Sequence, residues 1–294
     1  MVQSRKISNI ANIFFVIVSL LALLPFLLLI IASFTDNSWA IANGFSFLPK
    51  KWSLDAYKYL AGQLGTIGRA YIMTILVTTI GTSLSVTITC LFAYGLSNDE
   101  LPGIRIINFL VVFTMLFNGG LVATYYSYTK FFHVKDTIWA LILPSLLINA
   151  FNIILVKNYF KTSIPASLLE AARIDGASEF KIFFKIVLPL SKPIMATIGL
   201  MTGLAYWNDW QNGLYYLTQR NGSKYYTIQV VLNTINENIN FLSSGQSTGT
   251  VVSSMPSATA RMAIAVIGII PILIVYPFFQ KYFVKGITLG GVKE

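Results

Sequence analysis

The chain has 294 residues, of which 55% are hydrophobic and only 11% charged, against roughly 25% charged in soluble domains. That balance excludes an ordinary soluble domain and points to an all-α polytopic membrane protein. The formal charge of +10 lies in an apolar chain, where excess Lys and Arg belong on the cytoplasmic side near anionic lipid, and no nucleic acid is expected as a partner.

The first apolar run, residues 10–34, follows Arg5 and Lys6. It is too long for a signal-peptide core, and no clear small-residue cleavage site follows Phe34, so it is expected to be a retained span. Pro25 within it is tolerated in a span better than in a soluble helix. Residues 35–68 are polar and aromatic and are expected to form an external loop, with a short interfacial helix around Leu54 to Leu60. The second span, residues 69–96, carries Thr74, Thr78, Gly81, Thr82, Ser85 and Thr89, small side chains that allow close helix contact. A turn at Ser97 to Gly103 leads into the third span, residues 104–126, which contains Asn118, Gly119 and Gly120. A short external loop with Lys130, His133, Lys135 and Asp136 precedes the fourth span, residues 137–159, which contains Pro144, Asn149 and Asn152.

Residues 160–193 then break the apolar pattern. Leu168 to Ile174 is built of good helix formers. Asp175-Gly176 is expected to end that helix, since glycine accepts the left-handed conformation used there. Ser178 can cap a second, amphipathic helix running to about Val187, and Pro189 and Pro193 punctuate the path onward. The result is two short helices around a glycine bend, held at both ends by spans. Such an element can transmit motion from a soluble partner to the membrane.

The fifth span, residues 194–210, ends in Tyr206-Trp207-Asn208-Asp209-Trp210. Residues 211–257 are expected to be extracytoplasmic, with Tyr225-Tyr226-Thr227 opening a short helix or strand and a Ser/Gly/Thr-rich stretch over Ser243 to Thr250. The sixth span, residues 257–279, carries Arg261, Pro271 and Pro277, and a basic tail runs from Gln280 to Glu294. Six spans place both termini and the 160–193 loop on one side, and a modest excess of Lys and Arg there assigns it to the cytoplasm.

No reactive constellation accompanies these spans. The lone Cys90 excludes an intramolecular disulfide, and the lone His133 excludes a multi-histidine metal cluster. Patterns of the GxxxxGK, HExxH and GxSxG types are absent, so the chain is not expected to be an enzyme, to bind a cofactor or to hold a metal. The cluster Trp207, Asn208, Asp209 and Trp210 has two readings. One is an aromatic belt at the membrane surface. The other is a sugar site, with flat rings against apolar sugar faces and Asn and Asp against hydroxyls. Asn118, Asn149 and Asn152 either bond neighbouring helices or line a translocation path. Asp209 and Arg261 either reach the interface or line that path.

The segment Glu170-Ala171-Ala172-Arg173-Ile174-Asp175-Gly176-Ala177, continuing to Leu188-Pro189, resembles the EAA loop of importer-type ABC transporter permeases. A narrower resemblance is to carbohydrate-importer permeases of the MalG/LplC-like kind, binding-protein-dependent inner-membrane components. It rests on Trp207-Asn208-Asp209, on Ala260-Arg261-Met262-Ala263 and on Gln280-Lys281-Tyr282-Phe283-Val284-Lys285-Gly286, and it covers essentially the whole chain. Relatives often end in Gly where this chain ends in Glu294.

The resemblance implies a type I ABC importer permease fold with six transmembrane helices in the bacterial cytoplasmic membrane. It implies a second permease, an ATPase dimer using ATP and Mg, an extracytoplasmic solute-binding lipoprotein, and an oligosaccharide as cargo. It assigns Glu170, Ala171, Ala172, Asp175, Gly176, Leu188 and Pro189 to the element that couples to the ATPase. An importer of a non-sugar solute and an ion-coupled secondary carrier remain alternatives. The second predicts uptake driven by an ion gradient and indifferent to ATP.

Overall fold

The computed structural model describes residues 5–243 and 257–291, and among them the regular structure is helical, joined by turns and loops, with one isolated antiparallel bridge between Thr35 and Trp52. The helices are α1 (Arg5–Ser33), α2 (Asn37–Asn43), α3 (Asp55–Ala61), α4 (Leu64–Ser97) and α5 (Ile104–Leu116). α6 (Gly120–Tyr126) widens into a π turn at Ser127–Phe131, and α7 (Trp139–Ile142) and α8 (Ala150–Ser163) follow. The loop region holds α9 (Ala166–Ile174), α10 (Glu179–Ile182) with a π turn at Phe183–Val187, and α11 (Leu188–Leu190). The last helices are α12 (Lys192–Asn208), α13 (Gln211–Tyr216), α14 (Ile228–Ser243) and α15 (Ser257–Gly291).

Among the described residues the six expected spans are not all found as continuous apolar helices. Among the described residues three helical segments are long and apolar enough to cross a membrane: Asn9–Ser33, Leu64–Ser97 and Ser257–Ile274. Two bent pairs raise the count to five if each pair is one span: Ile104–Leu116 with Gly120–Phe131, bent by 118°, and Glu179–Leu190 with Lys192–Asn208, bent by 80°. The expected third span breaks at Asn118-Gly119-Gly120. Gly120 sits at φ +82°, and the Asn118 side chain accepts its N–H at 2.8 Å, so the backbone turns where apolar periodicity alone would continue. The expected fourth span breaks after four helical residues, because Pro144 cannot continue the ladder and Ser145 takes φ +63°. Asn149 then caps α8, its side chain accepting the Asn152 N–H at 3.2 Å.

A short helix, α3, forms close to where one was expected. α14 is a 16-residue helix where only a short helix or strand was expected after Tyr226. α15 runs on to Gly291, past the expected end of the sixth span at Phe279. The stretch from 244 to 250 and Glu294 lie outside the described residues.

The chain divides into two compact units. One takes the described residues of Met1–Gly68 and Leu232–Ile274. Most of α1 in this unit keeps its apolar side chains exposed, Ile10, Phe14, Leu20 and Leu27 among them, as lipid or a partner helix requires. The end of α1 is tied down by hydroxyls. Ser33 Oγ lies 2.6 Å from the Ile30 carbonyl and 2.8 Å from the Tyr57 hydroxyl, and the Phe34 ring stacks on Tyr57 at 4.8 Å. Asp36 caps α2 by accepting the Trp39 N–H at 2.9 Å. Asn37 Oδ1 accepts the N–H groups of Ala258 and Thr259 at 3.0 and 3.3 Å, satisfying two otherwise orphaned donors at the start of α15.

The other unit takes Arg69–Val231 and the described residues of Val275–Glu294. One of its apolar cores joins Cys90 and Leu96 of α4, Val156 and Phe160 of α8, Ile182 of α10 and Ile198 of α12. A second joins Val77 of α4, Leu141 and Ile142 of α7, Tyr206 of α12 and Tyr216 of α13. Gly81 makes the second core possible, since a Cβ there would lie 2.5 Å from Tyr206 Cζ. The buried Tyr206 hydroxyl donates to the Ile142 carbonyl at 2.8 Å. The buried Asn212 amide donates to the Pro144 carbonyl at 3.0 Å, so polar side chains satisfy backbone left open by the broken helix.

Candidate functional site

The loop between α8 and α12 is shaped by its own residues. α9 ends in a Schellman motif: Asp175 is the last half-helical residue, Gly176 follows at φ +74°, its N–H bonds the Arg173 carbonyl at 3.0 Å, and the Ala177 N–H bonds the Ala172 carbonyl at 3.0 Å. Ser178 then caps α10, accepting the Lys181 N–H at 3.4 Å. The second helix extends past the expected end at Val187 to Leu190. It does so through a π turn in which the Leu188 N–H bonds the Phe183 carbonyl, one residue further back than an α-helix would reach. Pro189, which has no N–H to donate, follows directly.

Three side chains lock the bend. Arg173 Nε lies 2.8 Å from Glu179 Oε1, and the Tyr94 hydroxyl of α4 donates to Glu179 Oε2 at 2.5 Å. The Tyr94 ring also meets Phe183 at 5.2 Å. The Glu179 carboxyl is held below the ordinary glutamate range, first by the hydrogen bond from Arg173 and then by that from Tyr94. The same hydrogen bond raises Arg173 further. Beside this clamp, Lys161 Nζ meets Asp99 Oδ1 at 2.6 Å and holds the carboxyl of Asp99 low. A cleft of about 720 Å³ opens between the loop and the end of α4, with Asp99, Leu169, Glu170, Arg173 and Phe180 on its walls.

Of the residues assigned to coupling, Glu170, Ala171, Asp175, Gly176 and Pro189 are exposed, while Ala172 and Leu188 are half-buried against the first core. Ile174 is 87% and Phe180 72% exposed on either side of the bend. The sequence pattern did not reveal the clamp. Glu179 and Arg173 stand six apart across the bend, a visible signal, but Tyr94 is 85 positions from its partner Glu179.

The aromatic cluster at the end of α12 is arranged for structure as much as for display. Trp207 is half-buried, with its ring 6.4 Å from that of Tyr71. Asn208 is exposed and donates back to the Leu204 carbonyl at 2.9 Å. Asp209 is half-buried and accepts the Asn212 N–H at 3.3 Å, at the first turn of α13, while its carbonyl accepts from the Thr227 hydroxyl at 3.4 Å. Trp210 is 38% exposed. Asn118 is exposed in the break before α6, and Asn152 is buried and donates to the Thr202 hydroxyl at 3.3 Å. No group of three or more His, Cys, Asp or Glu residues is placed to hold a metal ion among the described residues.

A polytopic helical chain with a clamped, exposed EAA-type loop matches one family throughout. Residues 1–289 match the family of binding-protein-dependent transport system inner membrane components. The chain belongs to this family. It is therefore a multi-pass permease of the bacterial cell membrane and a non-catalytic subunit, with ATP hydrolysis in separate ATPase subunits.

The permease is 43% identical to the polygalacturonan/rhamnogalacturonan transport system permease protein YtcP of Bacillus subtilis, over 95% of this chain and 96% of that one. It is 38% identical to the protein LplC of the same organism, over 99% of this chain and 96% of that one. Among solved structures it is similar to a chain of a bacterial ABC transporter involved in the import of the acidic polysaccharide alginate. There the TM-score is 0.76 and the identity 31%, over 95% of this chain and 97% of the other.

Proposed function

We propose that this permease forms, with a second permease, the path by which an ATP-driven importer moves an oligosaccharide. The single observation that carries this reading is the 43% identity, over 95% of the chain, to a permease named for polygalacturonan and rhamnogalacturonan transport. The likeness to an alginate importer chain supports the same cargo class.

In this reading the chain crosses the membrane six times. The third crossing is the bent pair Ile104–Leu116 with Gly120–Phe131, the fourth is α7 followed by α8, and the fifth runs over residues 194–210 in α12 and its end. Residues 160–193 face the cytoplasm, and residues 211–257 face the solute-binding lipoprotein. Glu170, Ala171 and Ala172 form the face offered to one ATPase subunit. Gly176 sets the bend, and Leu188 and Pro189 pass the motion into α12. The exposed Ile174 and Phe180 supply apolar area for that contact. ATP and Mg act in the ATPase pair. Closure of that pair moves the loop as one body, because the Arg173–Glu179–Tyr94 clamp fixes it to α4.

Purification of the native complex through a tag on this chain tests the partners. Recovery of a second permease and an ATPase is expected. Recovery of the chain alone, with uptake still intact in liposomes driven by an ion gradient, would make it a secondary carrier. Uptake of a non-sugar solute by the recovered complex would leave the importer in place and remove the oligosaccharide.

A further inference from the structure

Immediately after the apolar segment Asn9–Ser33 the backbone of the first unit is clasped. Thr35 bridges Trp52 in the antiparallel sense, the Asp36 N–H donates to the Lys51 carbonyl at 3.0 Å, and the Ser53 N–H donates to the Phe34 carbonyl at 2.8 Å. Residues 51–53 are thereby pinned beside residues 34–36, and Trp52 stands opposite a residue only two positions past the end of the span. That is a reach of about 7 Å at about 3.4 Å per extended residue. The headgroup layer on each face of a bilayer is about 5 to 7 Å thick. The clasp therefore sets the depth of Trp52 and its neighbours at the lipid headgroups.

The face held at this depth is both basic and apolar. Trp52 is 60% and Leu48 86% exposed, and Lys50 and Lys51, next to Trp52 in the chain, are exposed as well. Between Phe34 and Gln63 the acids are Asp36 and Asp55. Asp36 is half-buried and caps α2, and Asp55 pairs with Lys58 at 3.1 Å. None of the ion pairs among the described residues includes Lys50 or Lys51. A groove of about 530 Å³ opens beside the clasp, walled by the apolar Phe34, Trp52 and Leu54 and by Ser53, Asp55 and Lys58. The exposed apolar side chains of α1 run up to it through Leu27 and Ile30, so the lipid-facing surface of the span is continuous with the clasp. An indole suits the headgroup level, and lysine stems lie on apolar surface while their ammonium groups reach phosphate.

We propose that Lys50, Lys51 and Trp52 form a binding site for the headgroup of an anionic phospholipid, with the groove beside Trp52 taking the glycerol and the upper part of an acyl chain. The two unpaired ammonium groups favour a phosphodiester of net negative charge over a zwitterionic headgroup. The apolar walls of the groove supply contact without charge preference. The site does not depend on which solute is transported.

The test uses the complete importer, purified with its partners, in nanodiscs of phosphatidylcholine that contain the same mole fraction of either brominated phosphatidylglycerol or brominated phosphatidylcholine. Bromine quenches tryptophan fluorescence on contact. The difference in signal between each protein and its Trp52→Phe counterpart isolates Trp52 from the other tryptophans. Wild type is compared with the double variants Lys50→Gln/Lys51→Gln and Lys50→Arg/Lys51→Arg, which change exposed side chains and are expected to copurify with the same partners.

In wild type the Trp52 signal is expected to be quenched by both lipids, with an apparent preference for phosphatidylglycerol of about fivefold or more, the order of one lysine's attraction to an anionic surface. The glutamine pair brings the two lipids level, the arginine pair keeps the preference, and added salt weakens it, as screening of exposed charges requires. Quenching by neither lipid would mean that a protein surface covers this face, and would overturn the proposal. Equal quenching of wild type by both lipids would leave Trp52 in the interface without a headgroup site. A preference that survives in the glutamine pair, or is lost in the arginine pair as well, would overturn the assignment to the charges of Lys50 and Lys51.

Discussion

Arg173 and Glu179 face each other across the bend at Gly176, with Nε 2.8 Å from Oε1, and the Tyr94 hydroxyl holds the other carboxylate oxygen. The two short helices are thus joined to each other and to the end of α4. An isolated exposed ion pair contributes about 0 to 1 kcal/mol. A carboxylate holding two donors from two different elements serves geometry more than global stability.

The clamp carries a sign for its pH dependence. The Glu179 carboxyl is held below its ordinary range by Arg173 and then by Tyr94, so its contribution is fully present above the ordinary glutamate value. It is lost as pH falls through the lowered folded-state value. Loop protection against limited proteolysis is therefore expected to be flat from pH 8 to about 5 and to fall only in more acid solution. Glu179→Gln should be cleaved faster from pH 8 to about 5 and should converge with wild type in more acid solution. Equal cleavage of wild type and E179Q at pH 7 would contradict the clamp.

Gly176 is required for its backbone and not for space. It takes φ +74°, yet a Cβ built there would meet nothing within 4 Å. Gly176→Val should cost about 1 to 3 kcal/mol of loop geometry and lower ATP-driven uptake about tenfold or more. Gly176→Asn, which tolerates the left-handed region, should keep most of it. If both variants transport alike in an assembled complex, the bend is not a coupling element.

Gly81 is constrained by space instead. Its absent Cβ leaves room for the Tyr206 ring, whose hydroxyl bonds the Ile142 carbonyl. Gly81→Ala should displace that ring and lower the melting point of the purified permease, with a cost of about 1 to 3 kcal/mol from overpacking. Tyr206→Phe should cost about 1 kcal/mol through the orphaned carbonyl. The double variant should cost less than the sum, because both act on one contact.

Asp209 separates capping from cargo recognition. It accepts the Asn212 N–H at the first turn of α13. Asp209→Asn keeps a capping oxygen, so uptake and thermal stability should stay close to wild type, whereas Asp209→Ala should lose about 1 kcal/mol of stability. Loss of uptake in D209N with unchanged melting would instead place the carboxylate on the sugar path.

The sequence made legible whatever is set by neighbours in the chain. Asp175-Gly176 and Ser178 define a helix end and a helix start within four residues, and both form as their chemistry requires. The breaks in the third and fourth spans were less visible. Apolar runs report lipid, and they conceal a Gly120 or Ser145 in the left-handed region. Contacts across long separations were not legible. Tyr94 with Glu179, Asn212 with the Pro144 carbonyl and Asn37 with the start of α15 join residues far apart in the chain, and no local pattern announces them. The Trp207–Trp210 cluster was visible as aromatic, but the bond from the Asn212 N–H to Asp209 at the first turn of α13 was not.

Coupling of this permease to ATP hydrolysis elsewhere is proposed to run through the 160–193 loop. The most direct measurement is oligosaccharide uptake by the reconstituted complex, with ATP hydrolysis recorded in the same vesicles, for wild type and Gly176→Val. Wild-type uptake is expected to require ATP and to be indifferent to ion gradients. G176V is expected to lower uptake per ATP hydrolysed while the complex stays assembled. Wild-type uptake that persists without ATP, or an unchanged ratio of sugar moved to ATP hydrolysed in G176V, would contradict it.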